Sequence, residues 1–115
     1  MALLGLAFVF VPTQIGIAAV PVDASAALIA YLRVFGSTFI AIGVVNWMAR
    51  NAEPSTARNA ILFGNTVGFG LAAILDLWGL LSGGRQLAVV FIIIHLLFTI
   101  AFILAGRMSM AAKTM

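Results

Sequence analysis

The chain has 115 residues, of which 64% are hydrophobic and 8% charged, with a net charge of +3 and no cysteine. Its mean hydropathy is +1.24, and six basic with three acidic side chains fall far short of the roughly one quarter of residues a soluble domain takes from Asp, Glu, Lys and Arg. A soluble globule, a disordered segment and a disulfide scaffold are excluded. What remains is an integral membrane protein with little mass outside the bilayer.

A helix crosses the bilayer with about 20 apolar residues. Four stretches meet that length, at about 2–20, 26–48, 59–81 and 87–105. The first carries no charge. Pro12 predicts a kink in it, and Thr13 can rebond the carbonyl the proline frees. Ala24-Ser25-Ala26 has the small side chains of a signal-peptide cleavage site. A basic leader is missing and the apolar run is long, so the segment is read as a retained span. With no cysteine and no glycine at position 2, lipid anchors are not expected. Pro21 and Asp23 punctuate the chain before the second span, which Asp23 or Ser25 can cap. In the link from Arg50 to Arg58, Pro54 stops one helix and Ser55 can cap the next. Ser82-Gly83-Gly84-Arg85-Gln86 turns the chain into the fourth span. Short links force antiparallel neighbours, so the expected fold is all-α: one transmembrane domain, an up-down-up-down four-helix bundle.

Basic flanks stay on the cytoplasmic side. Arg50, Arg58, Arg107 and Lys113 share one side, against Arg85 with Asp23 on the other. Both termini are therefore expected in the cytoplasm. The pI near 10.8 does not point to nucleic acid, because the basic residues sit singly at helix ends and form no stripe that could track phosphates. Attraction to anionic lipid headgroups is the expected consequence.

Each span carries one strongly polar side chain in its outer half: Gln14, Arg33, Asp76 and His95. At about 1.5 Å per residue they lie roughly 9–12 Å from the outer helix ends, in one layer. An intramembrane charge costs about 2.5–3.5 kcal/mol even on the lenient insertion scale, so pairing is expected. The most economical arrangement sets the Arg33 guanidinium against the Asp76 carboxylate, with Gln14 and His95 satisfying the remaining groups. Arg33 shares a helical face with Gly36, Ile40, Gly43 and Trp47. Asp76 shares one with Gly64, Gly68, Ala72 and Gly79. Small residues at such spacing let helices approach closely, so these faces are expected to pack together. Polar glue that fixes helix order is favoured over a proton or ion site, since a matched pair has no net charge to attract an ion. In a third arrangement Arg33 snorkels to the headgroups, leaving Asp76 protonated or paired with His95. Asn46 and Asn65 form a second polar level near the cytoplasmic side, and Trp47 and Trp78 fit an aromatic belt.

His95 lies in Phe91-Ile92-Ile93-Ile94-His95-Leu96-Leu97-Phe98-Thr99. A lone membrane histidine can ligate haem iron or the magnesium of a chlorophyll. Haem held by two axial ligands is disfavoured with one histidine and with Met48 at the far end of its span. A chlorophyll-type pigment needs one ligand and stays open as an alternative. The simpler reading is a neutral imidazole hydrogen-bonded within the polar layer, with no cofactor.

Asp23-Ala24-Ser25-Ala26-Ala27, Leu32-Arg33-Val34-Phe35-Gly36-Ser37, Asn46-Trp47-Met48-Ala49-Arg50-Asn51, Gly64-Asn65-Thr66-Val67-Gly68-Phe69 and Leu80-Leu81-Ser82-Gly83 resemble the small four-span bacterial inner-membrane proteins of unknown function. The resemblance covers about two thirds of the chain. It implies a four-helix topology in a bacterial inner membrane and supplies no activity. The fourth span, from Gln86 to His95, departs from it. Small multidrug exporters are similar in length and span number but depend on a glutamate in the first helix, where this chain has Gln14.

An enzyme is not expected: no nucleophile has a partnered base, and there is no metal cluster or phosphate-cradling loop. The expected function is that of an accessory or structural subunit packing against other integral membrane subunits of a respiratory or photosynthetic complex. A pigment-binding subunit using His95, and a small proton-coupled transporter using Asp76, are the alternatives.

Overall fold

A computed structural model describes residues 1–15, 20–21, 23–83 and 88–113, with side chains given through 111. The described chain is helical. In order it forms α1 (Ala2–Phe10), α2 (Pro12–Ile15), α3 (Ala26–Ala49), α4 (Thr56–Leu81) and α5 (Ala88–Lys113). Three of these, α3, α4 and α5, are long and apolar enough to cross a membrane. At 24, 26 and 26 residues they extend about 36–39 Å, more than the ~30 Å hydrocarbon core.

The first segment is not one kinked helix. Helix α1 ends after Phe10, Val11 leaves the helical region at φ −133°, ψ 53°, and α2 begins afresh at Pro12. The cause is local. Pro12 has no N–H to offer a carbonyl four residues back, and its ring crowds the preceding β-branched Val11 out of the α region. Proline is welcome at the first position of a new helix, where an N–H would be unpartnered anyway. Thr13 does not rebond a carbonyl; its hydroxyl donates to Oε1 of Gln14 at 2.9 Å. The expected span at 2–20 thus appears as two helices up to Ile15, and 16–19 lie outside the described residues.

The other boundaries follow their capping chemistry. The Ser25 hydroxyl accepts from the Leu28 N–H, and the Ser55 hydroxyl from the Arg58 N–H, each at 3.2 Å. Both serines have extended backbones, the geometry that turns a side-chain oxygen toward the free N–H groups of the first turn. At the end of α4, Gly83 takes a left-handed φ of 71° and its N–H bonds the Leu80 carbonyl at 3.1 Å, a closure glycine makes without a Cβ clash. Helix α5 runs eight residues beyond the apolar stretch that ends at 105, through Arg107 to Lys113. The hydrophobic window marks where lipid contact stops, whereas hydrogen bonding continues through good helix formers such as Arg, Met and Ala.

The chain divides into two compact units, Met1–Arg50 and Asn51–Met115. In the first, α1 lies antiparallel on α3. A Cβ on Gly5 would fall 2.5 Å from the Gly36 carbonyl oxygen, one on Gly36 2.7 Å from that of Gly5, and one on Gly43 2.7 Å from the Ala2 nitrogen. The two backbones are in contact, and only glycine fits. Beside this contact Phe8, Phe35 and Phe39 cluster, with ring centroids 4.7–6.5 Å apart. The Gly36–Gly43 face, expected to meet the third span, is filled instead by α1.

In the second unit α4 and α5 form a long antiparallel hairpin. Phe69, Ala73 and Asp76 are the buried residues of α4, and Ala88 and Ser109 are buried on α5. The face toward α5 is one position round from the expected stripe: Gly64 and Gly68 are exposed, and a Cβ on either would meet nothing within 4 Å. Ala72 and Gly79 are half-buried. Helical geometry explains the offset. Four residues advance about 400°, so a stripe at strict four-residue spacing drifts about 40° per step. From Gly64 to Asp76 the drift is roughly 120°, whereas Phe69, Ala73 and Asp76 stay on one side.

Candidate functional site

Asp76 and His95, the strongly polar residues expected in the third and fourth spans, meet inside the hairpin. Asp76 stands five residues before the end of α4 and His95 seven residues into α5, so the antiparallel register brings them level. Asp76 Oδ2 and His95 Nδ1 are 2.7 Å apart. Asp76 is 6% exposed, and the His95 side chain 22%. With the carboxylate ionised it can only accept, so Nδ1 carries the proton and donates. The contact orients the ring and leaves Nε2 as the ring nitrogen outside it. A hydrogen bond of this length with a charged acceptor is among the stronger kinds a protein makes.

Aromatic rings enclose the pair on one side. Phe69 lies with its centroid 5.8 Å from that of His95 and is stacked on Phe98 and Phe102 at 4.9 and 5.6 Å. Phe91 stands 6.4 Å from His95. On α5 these residues fall at Phe91, His95, Phe98 and Phe102, the three- and four-residue spacing of one helical face. One turn along, Thr99 donates to the His95 carbonyl at 2.7 Å, and its methyl group is the nearest neighbour of Gly70 on α4. Thr99 therefore returns its hydroxyl to its own helix and presents carbon to the partner helix.

A second polar contact joins the same two helices near their other ends. The Ser109 hydroxyl donates to Asn59 Oδ1 at 2.9 Å, and Ser109 is 3% exposed. Neither residue stands out in the sequence, because Ser109 lies beyond the apolar window of the fourth span. The available signal is spacing. Continuing the His95 face by helical steps passes through Phe102 and Gly106 to Ser109.

Of the four residues expected in one layer, Asp76 and His95 are joined. Gln14 is exposed and takes the Thr13 hydroxyl. Arg33 belongs to the first unit and is exposed on α3. Asn65 donates to the Ile61 carbonyl of its own helix at 2.8 Å. Near the end of α3 the Arg50 guanidinium lies 3.9 Å over the Trp47 ring and donates to the Trp47 carbonyl at 2.6 Å, an anchor of the interfacial kind.

The arrangement can tie two helices together, orient an imidazole, and present its second ring nitrogen away from the carboxylate. Among the described residues, no group of three or more His, Cys, Asp or Glu side chains is placed to hold a metal ion. The chain matches no protein-family model, no curated protein and no solved structure.

Proposed function

We propose that the protein is a non-catalytic integral membrane subunit of a bacterial inner membrane, which packs its apolar helices against other subunits of a larger membrane complex. The observation that carries this reading is how little of the membrane-length helices the chain itself covers. In the apolar windows of α3, α4 and α5 only 6%, 17% and 6% of residues are buried. Within the hairpin, Asp76 and His95 engage each other, an arrangement suited to holding helices in register. Isolation from native membranes in mild detergent tests the reading. The chain is expected to co-purify at fixed stoichiometry with larger membrane subunits, and a free monomer as the sole species overturns it.

One observation favours a second reading, in which His95 binds a hydrophobic, metal-centred cofactor such as a chlorophyll-type pigment. Histidines that ligate metals commonly donate their other ring N–H to a carboxylate, which orients the ring and strengthens the ligand. The Asp76 contact to Nδ1 supplies that feature. On this reading the natively purified chain shows a visible or near-infrared absorption band that His95→Leu abolishes. A wild-type spectrum with nothing beyond aromatic absorption removes it.

A further inference from the structure

At the Asn59–Ser109 end of the hairpin a groove of about 450 Å³ opens between α4 and α5. Its walls are mostly carbon, from Leu62, Phe63, Phe102, Ile103 and Met110, with Gly106 among the lining residues. Gly106 leaves the space open, since a Cβ there would meet nothing within 4 Å. The polar lining is confined to few groups, chiefly Asn59 and Arg107. Arg107 is exposed, and among the described residues no carboxylate meets it. The Asn59 carbonyl oxygen is occupied by the Ser109 hydroxyl, which turns the amide N–H₂ into the group Asn59 can offer a ligand.

The depth of these residues in the membrane identifies what fits. Arg107 is the first charged residue after the uninterrupted uncharged run of α5 that starts at Ala88. That run spans about 28 Å, close to the hydrocarbon thickness, which puts Arg107 at the level of lipid phosphates. From Asn59 to Thr66 and from Arg107 back to Phe102 the groove descends roughly 8–10 Å into the hydrocarbon. An apolar slot below a cation and an amide donor complements an acyl chain below a phosphodiester, and basic pockets between transmembrane helices recognise anionic headgroups.

We propose that this groove is a binding site for an anionic phospholipid, with the phosphodiester held by Arg107 and the Asn59 amide and an acyl chain lying along Phe63, Phe102 and Ile103. The test uses the full chain in uncharged detergent, with phosphatidylglycerol or phosphatidylcholine of identical acyl chains added in turn and retained lipid counted by native mass spectrometry. The wild type retains the anionic lipid roughly fivefold better, the preference one interfacial basic residue confers. Arg107→Gln brings the ratio to about one, lowering phosphatidylglycerol retention far more than that of phosphatidylcholine, whose choline cation already offsets its phosphodiester. Arg58→Gln removes a charge from the same end of the hairpin but from outside the groove lining, and leaves the ratio intact. Gly106→Phe fills the slot and lowers retention of both lipids. Equal retention of the two lipids by the wild type overturns the proposal. So does an Arg58→Gln loss as large as that of Arg107→Gln, which would mean diffuse surface charge.

Discussion

The two helix pairs hold together by different means. Helix α1 has nine residues and meets α3 backbone to backbone, through Gly5, Gly36 and Gly43. Helices α4 and α5 have 26 residues each and meet through side chains: Asp76 with His95, Asn59 with Ser109, and stacked phenylalanines between. In lipid an apolar side chain gains nothing from leaving water, so association rests on close packing and interhelical hydrogen bonds. A short helix has few positions to contribute, and removing side chains altogether gives the most contact per residue. A long hairpin can space two polar contacts far apart, which fixes register as well as attachment.

The contrast predicts where each pair breaks. The largest effect is expected for Gly36→Leu. The new side chain would have to enter space held by the Gly5 carbonyl and Phe8, and overpacking at a rigid contact costs about 3 kcal/mol at the upper end of its range. Unfolding by a denaturing detergent, read from Trp47 fluorescence in a Trp78→Phe background, should shift by that amount. A shift below about 0.5 kcal/mol, the scale of an ordinary surface change, would mean that α1 does not lie on α3.

Next comes the Asp76–His95 contact. A double-mutant cycle of Asp76→Ala and His95→Ala, read from Trp78 fluorescence in a Trp47→Phe background, should return a coupling of about 1.5–3 kcal/mol, the range for a hydrogen bond to a charged group. Additive single changes would show that the two side chains do not meet. Ser109→Ala removes one neutral interhelical hydrogen bond, and about 0.6–1.7 kcal/mol is expected by the same measurement.

These contacts were unequally legible in the sequence. The caps at Ser25 and Ser55 could be placed because capping depends on a few adjacent residues. Pro12 marked the disturbance in the first segment, but whether a proline kinks or splits a helix depends on what supports the freed backbone. That Asp76 and His95 stand level followed from counting residues along antiparallel helices. Which side of α4 turns its carboxylate to α5 depends on the rotation of the helix, which composition does not carry. Glycines at four-residue spacing drew attention to Gly64 and Gly68, whereas the face turned to α5 carries Phe69 and Ala73. The Ser109 contact was hidden for a simpler reason: hydropathy ends the span before the helix ends.

The smallest predicted effect separates the two kinds of glycine. Gly68→Ala adds a methyl group where nothing stands within 4 Å, whereas Gly36→Ala sets one 2.7 Å from a backbone carbonyl. At an open helical site alanine is favoured over glycine, by up to about 1 kcal/mol in water, because it loses less backbone freedom on folding. Gly68→Ala should therefore be neutral or slightly stabilising in the isolated chain, and Gly36→Ala destabilising. The opposite signs carry the argument, since both changes add the same atoms to the same kind of helix and differ only in what those atoms meet. If Gly68→Ala also destabilised the isolated chain, the space beside Gly68 would have to be filled, and α4 would present its glycine stripe to a neighbour in addition to turning its phenylalanine face to α5.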